Sequence, residues 1–400
     1  MPDGPPEGRR CLAAARRKRD GLGGKAGYDI VMILHEPVHP QFFKERRLRL
    51  ALLTVMIAAF IFGFADLISN RNFERLHIFL FNLCSGGFVV IYHTENTAQP
   101  SPRAYGFFAL SLIYAVFAFL EMYLPAAIIS VILAFVVESI RVQKFPFVPV
   151  DLISTRTPII DKFHHASILC LSIALIIAAF VVVNNDALHW IANKNLTLNL
   201  FFLGYSFPLS LLSMSVMFSF VEEAAEPLPR MVLNFFFWFI TLGVVVFFVF
   251  ILRSMAIAKF AIATALFVVV ALMLVFFLRY GRPVQQKQFL LSGMFFLLFT
   301  GITGVLYIVL AHFPQPFVAW GRLLLHSHSY LALYGWSLSG MLVLIRWNDF
   351  PLRVNSLGII GMHWVALGIM APLGKTSLIA ALITISLYLY FLSLFFQRDR

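Results

Sequence analysis

The sequence predicts an all-α polytopic membrane bundle of about twelve transmembrane helices, and three observations predict it. First, 60% of the 400 residues are hydrophobic and 12% are charged, with mean hydropathy +0.86. A soluble domain is about half apolar and about a quarter charged. Second, apolar runs recur at about the ~20 residues that a helix needs to cross a bilayer. Third, the short segments between those runs alternate in basic content, as the positive-inside bias requires.

The elements follow in order. Residues 1–46 read as a basic cytoplasmic tail, disordered, with Arg9, Arg10, Arg16, Arg17, Lys18 and Arg19. Its apolar run Cys11-Leu-Ala-Ala-Ala15 is too short for a signal peptide, and Met32 is an alternative start. Residues 47–400 read as the bundle. The first span is expected at 49–69 and the second at 76–93. The third and fourth are split near Tyr123-Leu-Pro125, and the fifth is expected to start after His165. The sixth covers 198–220 with Pro208 inside. The seventh and eighth are separated at Arg253. The ninth starts after Lys287, the tenth after Arg322, the eleventh after Arg353, and the last lies within 375–396. No internal repeat or soluble domain is evident.

With the N-terminus inside, the inner loops hold Arg103, Arg141, Lys144, Arg156, Lys162, Arg230, Arg279, Arg282, Lys287, Arg346, Arg353, Arg398 and Arg400. The outer loops hold fewer: Arg71, Arg75, Lys194, Arg253, Lys259, Arg322 and Lys375. Both termini are then cytoplasmic. The net charge of +12 is accounted for by topology and gives no reason to expect a nucleic-acid partner; the bilayer itself is the expected partner. Cys11, Cys84 and Cys170 form no CxxC pair, and the absence of CxxCH excludes covalently attached c-type haem.

Chemistry is concentrated in Arg322-Leu-Leu-Leu-His326-Ser-His328-Ser-Tyr-Leu-Ala-Leu-Tyr334-Gly335-Trp336. Ionisable residues inside a membrane are expensive and mark function by default. At about 100° per residue, His326 and His328 point to nearly opposite sides of their helix. They lie about 6 and 9 Å past Arg322, and His77 about 3 Å past Arg75, on the same membrane side. Two axial imidazoles at similar depth on facing helices suit a tetrapyrrole. His77 and His328 meet that requirement, with Gly86-Gly87 and Gly335 allowing close approach. The alternative is interhelical hydrogen bonding without a cofactor.

The other histidines carry less. His164-His165, beside Lys162, read as an interfacial loop pair rather than a metal site. His93 ends the second span and hydrogen-bonds at the interface. His363 reads as a packed histidine, His189 and His312 as loop residues, and His35 and His39 as part of the tail. Asp66, Glu121 and Glu138 lie near span ends, leaving no mid-membrane carboxylate of the kind an ion-coupled pump uses. Glu222, Glu223 and Glu226 read as a solvated inner-loop face.

The chain resembles subunit I of the haem–copper oxidase superfamily, closest to the cytochrome cbb-type oxidase and nitric oxide reductase branch. That family has twelve helices with both ends cytoplasmic. Its second helix carries a histidine followed, in the cbb-type branch, by paired glycines nine and ten residues later, as Gly86 and Gly87 follow His77. Its tenth helix carries His-x-His, then Ser and an Ala-Leu-Gly-Trp run. Here the same place reads His326-Ser327-His328-Ser329 and Ala332-Leu333-Tyr334-Gly335-Trp336, with one residue inserted. The resemblance covers most of the chain in topology and two short stretches in motif.

The resemblance implies a haem-b protein of a bacterial-type inner membrane. His77 and His328 would be the axial pair of a low-spin haem b, and His326 the proximal ligand of a second haem. Respiratory electron transfer or diatomic-gas chemistry would follow, with a redox partner or further oxidase-like subunits. The family's second metal is held by histidines of the sixth and seventh helices. The spans 199–220 and 231–253 contain none, so copper and the dinuclear oxygen-reducing centre are not expected. A cofactor-free twelve-helix secondary transporter is the competing reading, weakened by the missing inverted repeat and midplane charge.

Overall fold

The computed structural model describes residues 42, 45–69, 73–191, 193–222 and 230–396. The tail with His35 and His39, and residues Arg71, Glu223, Glu226, Arg398 and Arg400, lie outside the described residues. Among those described there are helices and turns and no strand. In lipid only internally hydrogen-bonded backbone is tolerated, and helices supply it.

The helices are α1 Arg46–Phe62, α2 Glu74–Glu95, α3 Pro102–Phe119, α4 Tyr123–Lys144 and α5 Ile159–Leu188. Then come α6 Lys194–Glu222, α7 Arg230–Leu252, α8 Ala256–Tyr280, α9 Gln285–Leu310 and α10, residues 314–345. The chain ends with α11 Ser356–Gly374 and α12 Leu378–Phe396. Eleven helices among the described residues are long and apolar enough to cross a membrane. The helix left out is α10, whose two histidines and four serines lower its hydropathy. It runs through three joined segments, about 48 Å at ~1.5 Å per residue.

Local chemistry sets the ends. Ser101 caps α3, its Oγ accepting from the amides of Arg103 at 3.1 Å and Ala104 at 3.2 Å, with Pro102 as first helical residue. The reversals α3–α4 and α7–α8 are built alike. Glu121 (φ 58°) and Ser254 (φ 54°) take the left-handed conformation. The next amides, Met122 and Met255, then donate back to Phe117 O at 2.9 Å and Phe250 O at 3.0 Å. This closes both helix ends with orphan carbonyls satisfied.

The centre of the bundle is α2: 94% of its membrane window is buried, against 22% for α7 and 28% for α8. It packs on α1, α3 and α6, while α10 packs on α9 and α6. At Gly340 of α10 an added Cβ would run into the Ser213 side chain of α6, so this small residue sets the approach of the two helices.

Three helices widen to π geometry just after a histidine: Phe79–Gly87 after His77, Leu331–Ser337 after His328 and Val365–Met370 after His363. Such segments often occur at functional sites. The π turn in α10 contains Tyr334.

Two expectations need correction. His164 and His165 are not in a loop; α5 starts at Ile159, after Pro158, and buries both histidines. The tenth helix starts at Pro314, not after Arg322. Its first two turns are largely exposed, and Arg322, also exposed, lies 3.5 Å from Asp66.

Candidate functional site

The site lies where α1, α2, α10, α11 and α12 converge, and Tyr334 is its hub. Burial of an apolar ring brings it there: Tyr334 packs on Phe60 (centroids 4.8 Å), Phe81 (4.6 Å), Tyr330 (5.6 Å) and Tyr388 (5.5 Å). Its hydroxyl lies 3.2 Å from Nδ1 of His77. Its carbonyl, in the π segment, accepts from Nε2 of His363 at 2.8 Å. His363 stacks on Phe391 at 4.2 Å, in keeping with a packed histidine. His77 is buried, its ring nearly parallel to Tyr330 and Tyr334 at 6.4 and 6.2 Å.

His328 faces another neighbour. Its Nδ1 donates to the carbonyl of Thr300 on α9 at 3.0 Å, which leaves the lone pair on Nε2. The ring covers Gly304, where an added Cβ would lie 3.0 Å from Cε1. His326, two residues earlier, points elsewhere. It is in electrostatic reach of Lys375, Arg322 and Asp66, and His77 is in reach of it. Asp66 joins this end of the bundle: it binds Lys375 at 3.0 Å and Arg322 at 3.5 Å, while Lys375 also donates to Gly63 O at 2.5 Å.

Three buried polar atoms here find no hydrogen-bond partner among the described residues: His326 Nε2, Tyr330 Oη and Tyr388 Oη. Tyr330 is one turn beyond His326 on the same helix face. Buried polar groups are nearly always satisfied, so each exception needs a physical cause.

These features decide how a haem would fit. The histidines expected to share a haem, His77 and His328, hydrogen-bond to different groups, the Tyr334 hydroxyl and the Thr300 carbonyl. Tyr330 and Tyr334 lie beside His77, their ring centroids 6.4 and 6.2 Å from its own. The glycines expected to admit a macrocycle are covered, Gly86 by Leu209, Gly87 by Phe107 and Gly335 by Phe296. A single-histidine site at His326 does fit by donor chemistry, through its unpartnered Nε2. Among the described residues no group of three or more His, Cys, Asp or Glu could hold a metal ion.

A second buried polar cluster, at the other end, escaped the sequence reading. Arg141, 2% exposed, donates from Nε to Glu138 Oε1 and Oε2 (3.1 and 2.9 Å) and from Nη2 to Phe147 O (2.9 Å). From Nη1 it donates to Pro146 O (2.9 Å) and His165 Nε2 (2.8 Å). Arginine only donates, so Nε2 of His165 accepts and Nδ1 donates to Asp151 Oδ2 at 2.7 Å. His164 sits between Thr94 Oγ1 (2.9 Å) and Lys144 (3.4 Å), with the ring of His93 5.0 Å away. The usable signals were Pro158 and Asp161, a helix start before the histidines rather than after them.

Comparison with protein-family models, with curated proteins and with solved structures finds no match for this chain.

Proposed function

We propose that the chain is an integral membrane haem-b protein in which His326 is the iron ligand, acting in electron transfer or diatomic-gas chemistry. The observation that carries this reading is the buried, unpartnered Nε2 of His326, one turn before Tyr330, whose hydroxyl also finds no partner among the described residues. The bound group would supply a one-electron couple or an open coordination position. The chain does the rest. His326 offers a lone pair, and Tyr330 offers a hydroxyl on the same face. Arg322 and Lys375 place cations where a macrocycle's carboxylates would need them. Phe60, Tyr334 and Tyr388 keep water out. The opposite end of the bundle, where Arg141, Lys144 and Lys162 lie, then faces the cytoplasm of a bacterial-type membrane, by the charge bias of the loops.

A second reading has one observation in its favour. His77 is buried and hydrogen-bonded to the Tyr334 hydroxyl, as a packing histidine in a cofactor-free transporter would be. Protein purified from haem-replete cells separates the two. A dithionite-reduced minus oxidised spectrum, with iron analysis, is expected to show b-type bands and about one iron per chain. A folded sample without bands or iron would overturn the haem reading and leave the transporter.

A further inference from the structure

A cavity of about 400 Å³ opens at the end of the bundle that holds Arg141. It lies between the start of α5 and the start of α7. Arg156, Lys162 and Asn234 line its polar side, and Ile153, Met231 and Trp238 its apolar side. None of these residues belongs to the His326 site.

Lys162 is the unusual member. It is 1% exposed, although it stands on the first turn of α5. Its Nζ donates to Asn234 Oδ1 at 2.7 Å and lies 5.9 Å from the Phe237 ring centroid. Among the described residues no carboxylate is within ion-pair distance of it. Asp151 acts on Lys162 only from further away, and its Oδ2 is engaged by His165. An ammonium has three donors, so the charge and two of them are left without an anion. A buried charge is costly unless paired. Arg156, exposed at the mouth, adds a second cation with no ion pair among the described residues. The opposite wall is apolar and open: Ile153 is 72% and Met231 79% exposed. The cavity therefore joins two cations that have no ion pair among the described residues to an exposed apolar wall, with an indole at the boundary where amphipathic rings settle.

We propose that this cavity binds the phosphate of an anionic phospholipid, held by Lys162 and Arg156 with Asn234 orienting the lysine, and that an acyl chain lies along Met231 and Trp238. Basic pockets between helix ends take anionic headgroups in this way.

Native mass spectrometry of the detergent-solubilised full chain tests it. The probes are phosphatidylglycerol, phosphatidylcholine with the same acyl chains, and inorganic phosphate. Wild type is expected to retain one phosphatidylglycerol in preference to phosphatidylcholine, without displacement by millimolar phosphate. Arg156→Gln, at an exposed position that does not support the fold, should weaken that binding about fivefold. The double variant Lys162→Gln with Arg156→Gln should weaken it about twentyfold or more. Arg353→Gln, an exposed arginine outside the cavity, should leave it unchanged. Phosphatidylglycerol binding that is unaltered in Arg156→Gln overturns the proposal even if the double variant cannot be purified. Equal retention of phosphatidylcholine overturns it as well. Displacement of the lipid by inorganic phosphate would make the cavity a free-anion site and overturn the lipid assignment.

Discussion

Replacing His326 by alanine is expected to remove the b-type bands, with bound iron falling by at least about tenfold. The protein should still insert and elute as a folded species, because His326 is only half-buried and makes no hydrogen bond that the fold would lose through Nε2. The informative comparison is with the neighbouring histidines. His328→Ala removes a hydrogen bond to Thr300 and loosens α10 against α9, but it should retain the bands. His77→Ala removes the partner of the Tyr334 hydroxyl and should also retain them. Bands that persist in His326→Ala and vanish in both His77→Ala and His328→Ala would restore the axial pair implied by the oxidase resemblance.

Replacing Arg141 by alanine is expected to destabilise the bundle by about 3 kcal/mol, the scale for breaking a buried charged network by removing one partner. Arg141 alone holds two backbone carbonyls, the Glu138 carboxylate and the Nε2 of His165. Truncation leaves all of them short of a donor and frees the 145–151 segment, where Phe145 stacks on His165 at 4.5 Å and 3°. A fall of several degrees in the thermal unfolding midpoint in detergent would register this. Arg141→Lys, which keeps the charge but not the fork of donors, should fall between the two. A change below about 0.5 kcal/mol in Arg141→Ala, typical of a neutral surface site, would show that the network contributes nothing to stability.

The spans were legible because lipid imposes a length and an apolar composition on every crossing. Even α10, too polar to qualify on hydropathy, was expected as the tenth span, although its start was placed after Arg322 and lies at Pro314. The angular argument also held: His326 and His328 do meet different surroundings. What no spacing could give was which of the two faces α2. That depends on how Gly340 seats α10 on α6 and on the π segments after His77 and His328. The role of Tyr334 was hidden for the same reason. It stood in the sequence as one extra letter, and only packing makes it the partner of both His77 and His363. The His165–Arg141 cluster was missed because a lysine beside two histidines reads as a loop. Lys162 is instead buried on the first turn of a helix.

The most direct test of the central claim is the electron paramagnetic resonance spectrum of the oxidised, haem-loaded protein at low temperature. One histidine ligand from His326 leaves the iron five-coordinate or bound to water, and a high-spin ferric signal is the expected result. A low-spin signal of bis-imidazole type would contradict it, since it would require two histidines on one iron, whereas His77 and His328 hydrogen-bond to different groups of the bundle.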